Sequence, residues 1–204
     1  RVLFRSNKLK TLALATCLSF VASVASAEVR MGVSVHAMML DSTGSETLRT
    51  SGNVTSTSID ETAIVPSLFI ETLNSNGLGV GIDYVPVAEL GSGSSTNKVD
   101  AETNGENKAS AELASHATLY VIAQHENGIF VKAGMAFADV ETTESLSTGD
   151  TYGDATTEGL MAGIGMSRDL DNGMFVRGEL SYVDYDDISI TSTGGSKVKA
   201  DVDS

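Results

Sequence analysis

Three histidines and a cluster of aspartates are the side chains with the most obvious chemistry to offer. His36, His116 and His125 can each carry a proton. A serine and a carboxylate converging on one of them would make an activated nucleophile. His36 and His116 fall at inward positions of strand-like stretches and His125 in a tight turn, and nothing in the sequence sets a serine and a matching acid beside them. They are expected to be polar lumen filling and a solvated turn. Asp184, Asp186 and Asp187 form an acidic cluster. Calcium takes about six to eight oxygens, and no regular loop spacing supplies them, so a solvated rim that holds divalent ions loosely is expected. Asn76-Gly77, Asn127-Gly128 and Asn172-Gly173 are turn formers and not a phosphate cradle. No catalytic, cofactor or metal-ligating residue is assigned, and the chain is expected not to be an enzyme.

The elements that carry these residues alternate in their connections. Tight joints at Asn74-Ser75-Asn76-Gly77, His125-Glu126-Asn127-Gly128 and Asp169-Leu170-Asp171-Asn172-Gly173 alternate with long polar ones. The long joints are Asp41–Thr62, Gly91–Lys108 and Glu141–Glu158, with a shorter one at Thr191–Ser196. Short turns on one side and long loops on the other describe an outer-membrane barrel.

The first residues read as an export leader. Lys8 and Lys10 precede an uncharged apolar stretch, Thr11 to Val24, and Ala25-Ser26-Ala27 is an A-x-A cleavage site. Residues 1–27 are therefore expected to be a signal peptide, with Arg1 to Ser6 a non-native addition. The domain is expected to span Glu28 to Ser204 and to be incomplete at its C-terminus. Arg1, Arg5, Lys8 and Lys10 leave with the leader, so 9 basic residues face 27 acidic ones, a net charge of −18. That balance excludes nucleic acid as a partner. Cys17, the only cysteine, also leaves, so no disulfide can hold the mature fold. No apolar run of about 18 residues follows residue 27, so only a closed barrel could cross a membrane.

Side-chain parity defines the strands, because successive residues of a strand face opposite ways. The stretches are Val29–Met39, Ile64–Leu73, Leu78–Val87, Ala111–Ala123, Ile129–Val140, Gly159–Arg168, Met174–Ile190 and a last one from Lys197. In the first, Val29, Met31, Val33, Val35, Ala37 and Met39 share one face, and Arg30, Gly32, Ser34 and His36 the other. The pattern predicts an all-β, antiparallel up-and-down, eight-stranded transmembrane barrel whose eighth strand is truncated. Such a barrel is just wide enough to be filled by side chains. Arg30, Lys132 and Arg177 share inward parity with Glu71, Asp83, Glu112 and Glu179, and buried charges persist only in pairs. A lumen ion-pair network is expected, and removing Arg177 is expected to loosen it and admit ions. Tyr84, Phe137 and Tyr182 have outward parity near the loop ends and are expected to form an aromatic girdle. Phe69, Tyr120, Phe130 and Phe175 have inward parity at the turn ends. They either plug that mouth or are flipped outward by strand-end bulges.

Val65-Pro66-Ser67-Leu68-Phe69-Ile70-Glu71, a turn, then Val80-Gly81-Ile82-Asp83-Tyr84-Val85-Pro86 resembles strands two and three of the opacity-protein and outer-membrane-protein-A-like barrels, in their alphaproteobacterial members. The resemblance spans about residues 8–204. It is specific for architecture and says little of activity. It implies a Gram-negative outer-membrane location, with outer-membrane lipids, lipopolysaccharide and the barrel assembly machinery as partners. Family members usually end on a strand with a terminal aromatic, and this chain ends on Asp203-Ser204. The function expected is a non-enzymatic surface barrel that supports envelope integrity and presents loops for adhesion or interaction. A narrow porin-like channel is the alternative, and a lipid-modifying enzyme the third.

Overall fold

The computed structural model describes residues 27–47, 52–97, 105–171 and 173–203. Residues 1–26, 48–51 and 98–104, with Asn172 and Ser204, lie outside the described residues, so the expected signal peptide is not described beyond Ala27. Every regular element among the described residues is a strand: β1 (Glu28–Thr47), β2 (Val54–Leu73), β3 (Leu78–Val85), β4 (Ala88–Asn97), β5 (Gly105–Gln124), β6 (Ile129–Ser145), β7 (Ala155–Asp169), β8 (Phe175–Tyr185), β9 (Ile188–Thr191) and β10 (Lys197–Asp203).

All pairings are antiparallel, along the path β1-β2-β3-β5-β6-β7-β8-β10, with β4 beside β5 and β9 beside β10. β10 also pairs with β1, Asp41 opposite Asp203 through Thr47 opposite Lys197, so the sheet curls round and meets itself at the loop end. There Asp203 also pairs with Asp184 of β8. Towards the turn end, Glu28–Leu40 of β1 pair with β2. A cleft of about 410 Å³, lined by Arg30, Met31, Asp169 and Phe175, separates that part of β1 from β8.

β3 with β4, and β8 with β9, are single barrel strands interrupted once. Pro86 separates the first pair, because proline has no N–H for the ladder. In the second, the Asp186 amide leaves the β9 path and donates to the Glu158 carbonyl at 2.8 Å. The tight joints at Asn74–Gly77 and His125–Gly128 close as type I turns with a glycine bulge. Gly77 donates its amide to Asn74 O at 2.9 Å with φ 75°, and Gly128 donates to His125 O at 2.8 Å with φ 89°. Asn74 Oδ1 also accepts from the Asn76 and Leu78 amides.

The long joints are mostly strand. Pairing of β1 with β2 continues unbroken from Met39 opposite Thr62 to Thr47 opposite Val54. At ~3.3 Å per residue that hairpin runs about 25 Å past Met39.

The molecule is apolar outside and mixed inside. Val33 is 79 % exposed and Leu180 77 %, whereas Val65 is 1 % and Tyr120 0 % exposed. Met31, Ile64, Leu68, Ile82, Val131, Ile164 and Val176 are exposed too and continue the outward belt. An outward apolar band over a polar interior is the inverse of a soluble sandwich and suits a lipid-facing barrel. Tyr84, Phe137 and Tyr182 are also exposed on this outer face.

Candidate functional site

The lumen is built from large inward side chains that lie opposite glycines. Phe69 faces Gly32 in register, Tyr120 faces both Gly81 and Gly134, Phe130 faces Gly165, and Tyr185 faces Gly159. A Cβ added at Gly32, Gly81, Gly134 or Gly165 would collide with the paired aromatic residue, and one at Gly159 would strike the Asp184 carbonyl and crowd Tyr185. Each bare backbone is therefore the floor on which a neighbouring aromatic lies. The turn-end aromatics Phe69, Tyr120 and Phe130 are buried inside the curl, and Phe175 lies edge-on to Phe69, with ring centroids 5.9 Å apart.

Three polar groups stand among these rings. In the first, Arg177 grips Glu71 with both nitrogens, Nη2 to Oε1 at 2.5 Å and Nη1 to Oε2 at 3.0 Å, while Tyr120 Oη donates to Glu71 Oε2 at 2.9 Å. The guanidinium sits 4.9 Å from the Phe130 ring centroid and 5.0 Å from that of Phe69. Such cation–π contacts replace part of the water it has lost. In the second, Lys132 Nζ donates to Glu179 Oε2 at 2.6 Å and lies 4.2 Å from the centroid of the Tyr120 ring. In the third, Ser67 Oγ lies 2.8 Å from His36 Nε2 and donates to Asp83 Oδ2 at 3.1 Å. His36 Nε2 is 3.8 Å from Asp83 Oδ1.

Two of the seven charges expected in a common network lie elsewhere. Arg30 sits at the turn-end mouth, where Nε donates to Glu28 at 3.2 Å and Nη2 to Asp169 at 3.5 Å. Glu112 faces outward and is exposed. Between Leu113 and Ser115 the register with β6 shifts by one residue, so Ala114 has no partner opposite and the parity reverses. Leu113 takes the inward place and is 4 % exposed. Glu112 instead stands between Glu89 of β4 and Glu141 of β6.

Sequence reasoning missed the serine beside His36. Ser67 is opposite Ser34, and His36 and Asp83 reach it along diagonals. Parity puts all three inward, but only the register brings them together. The arrangement is not that of a hydrolase. A carboxylate that served His36 would hold its other ring nitrogen, whereas Asp83 holds the serine. Ser67 is 2 % exposed. The adjoining cavity, lined by Ser34, His36, Asp83, Thr118, Lys132 and Glu179, measures about 40 Å³, room for water and no more.

Val65, Val85, Leu113, Ala138, Met161, Val183 and Tyr185 continue the buried cluster of Tyr120, Ile122 and Phe130 towards the loop end, with Met38 and Ala63 packed against it. Within it, His116 Nε2 lies 2.9 Å from Tyr185 Oη. Among the described residues no group of three or more metal-ligating side chains converges.

No family model matches the chain. No curated protein matches it. Among solved structures it is similar to Ail, the attachment invasion locus protein of Yersinia pestis, in a crystal structure with the heparin analogue sucrose octasulfate. The two share 13 % identity over 87 % of this chain and 95 % of that one, with a TM-score of 0.44.

Proposed function

We propose that this chain is a non-enzymatic barrel of the Gram-negative outer membrane, exported by its leader, that supports envelope integrity and presents its loop-end hairpins outside for interaction. One observation carries this reading. The outward apolar belt ends near Met39 and Phe137, yet the paired backbone continues well beyond it, to Thr47 opposite Val54 and to Lys108 opposite Ser145. A belt for lipid, surmounted by stiff polar hairpins, is a scaffold for display.

Outer-membrane lipids and lipopolysaccharide would contact the belt, and the barrel assembly machinery would insert it. The hairpins carry Glu46, Glu106, Glu144, Asp150 and Asp154, so basic or neutral partners fit them better than polyanions. The filled lumen speaks against a porin-like channel.

The test is protease shaving of intact cells that express the protein. Cleavage is expected within 98–104 or 48–51, while the turns at Asn76 and Asn127 stay intact until the envelope is opened. Equal cleavage at loops and turns, or none before lysis, would refute surface display.

A further inference from the structure

Part of β8 is open on both faces. Gly178 to Tyr182 are exposed in succession, inward and outward residues alike, and Leu180 reaches 77 %. An unpaired edge explains this. Below the pair Asp184–Asp203, no described strand lies on that edge of β8, and none lies on the facing edge of β1 from Glu28 to Leu40. The two edges run the same way, because each strand is antiparallel to β10. They are also in step. Asp203 is opposite both Asp41 and Asp184, and counting down from it sets Ala37 level with Leu180, Val35 with Gly178 and Val33 with Val176 on the outward face. On the inward face His36 comes level with Glu179 and Ser34 with Arg177. At the turn end Arg30 of β1 reaches across, its guanidinium carbon 5.6 Å from the Phe175 ring centroid. Lipid cannot satisfy the N–H and C=O groups of two such edges, and a bare edge is a template for a strand.

We propose that the seam between β1 and β8 is the seat of one further strand, which continues β10 past Asp203 and is selected by the side chains on either side of it. This rests on the barrel reading above and deepens it. The strand is antiparallel to both edges, as β10 already is at the loop end. Its outward residues are apolar, because their neighbours are Ala37, Val35 and Val33 on one side and Leu180 and Val176 on the other. The outward residue beside Gly178 is a large one, since a Cβ built on that glycine meets nothing within 4 Å and a ring can cover the bare backbone. Its inward residues are uncharged. Glu179 already holds Lys132, and Arg177 already holds Glu71, so a further charge between them would be buried without a partner.

Disulfide cross-linking in lipid vesicles tests this, because residues 28–204 contain no cysteine. A segment of about ten residues, the length of a spanning strand, is appended after Ser204 with apolar outward and small uncharged inward positions. Its fifth residue falls between Val35 and Gly178 and is made cysteine. Directly opposite residues of neighbouring strands lie within disulfide reach. The one cysteine is expected to cross-link to Val35→Cys in one variant and to Gly178→Cys in another. Inserting one residue before the segment, which reverses its parity, is expected to cut both yields at least tenfold. So is a glutamate at its fourth position, beside Glu179. Cross-linking at neither edge, at one edge only, or equally well from the shifted or glutamate-bearing segment would overturn the proposal. Cross-linking by the same segment added as a separate peptide, but not when appended, would overturn continuity with β10. Val131→Cys reports the barrel reading separately. Its labelling by a membrane-impermeant thiol reagent would refute that reading, whereas a shielded Val131→Cys with no cross-links would refute the added strand alone.

Discussion

Glu71 and Glu112 are the same residue type on neighbouring parts of one sheet, and the fold treats them in opposite ways. Glu71 is 1 % exposed and holds the Arg177 fork and the Tyr120 hydroxyl. Glu112 stands in water between two more glutamates, Glu89 and Glu141. Inside, a carboxylate without a partner would face a desolvation cost of several kcal/mol. Outside, like charges directly across a ladder cost roughly 0.2–1 kcal/mol. Burial compels pairing, and exposure merely permits it.

The largest effect is expected from breaking the inner case. Glu71→Ala strands Arg177 among aromatic rings and should destabilise folding by ~3–5 kcal/mol. Denaturant titration in lipid vesicles measures this, and a cost below ~1 kcal/mol would erase the contrast between the two glutamates. Next come charges placed on the belt. Ile82→Arg or Val131→Arg should cost about 2–4 kcal/mol by the same titration, because both positions face lipid. Near-neutral results would mean that the outward face is not a lipid face.

The smaller effects belong to the exposed wall. Glu112→Lys should stabilise the protein by up to ~1 kcal/mol in low salt, by turning two repulsions into attractions. The gain should fade at about 1 M salt, where screening acts within ~3 Å, while the Glu71 cost persists. A gain unchanged by salt would argue that Glu112 is not solvated. Shortening the connection at 98–104 should change stability least, because connections between strands tolerate change.

How far the sequence reveals such differences depends on whether one face of a strand is buried. β1 from Val29 to Met39 alternates cleanly, because its apolar face is turned outward and its other face to the packed lumen, and its parity survives in the structure. Glu71, Lys132, Arg177, Glu179 and Asp83 are legible as inward for the same reason. The outer hairpins are not. Asp41 to Thr62 is mostly polar, carries no apolar period, and reads as loop although Asp41–Thr47 and Val54–Thr62 are paired strand. Glu112 fails for a different reason. One extra residue, Ala114, reverses every side chain beyond it, and nothing in Glu112-Leu113-Ala114-Ser115 announces a bulge. Pro86 was a visible signal for the break between β3 and β4.

The turn hydrogen bonds bear on how long the molecule can last. Asparagine before glycine is the sequence most prone to spontaneous loss of its side-chain amide, a form of thermal lability. That loss begins when the glycine nitrogen attacks the asparagine side-chain carbonyl. At Asn76-Gly77 and Asn127-Gly128 that nitrogen is already engaged, its hydrogen donated to Asn74 O and to His125 O. The folded turns therefore slow their own chemical ageing, and the clock runs fastest in whatever fraction of the chains is unfolded.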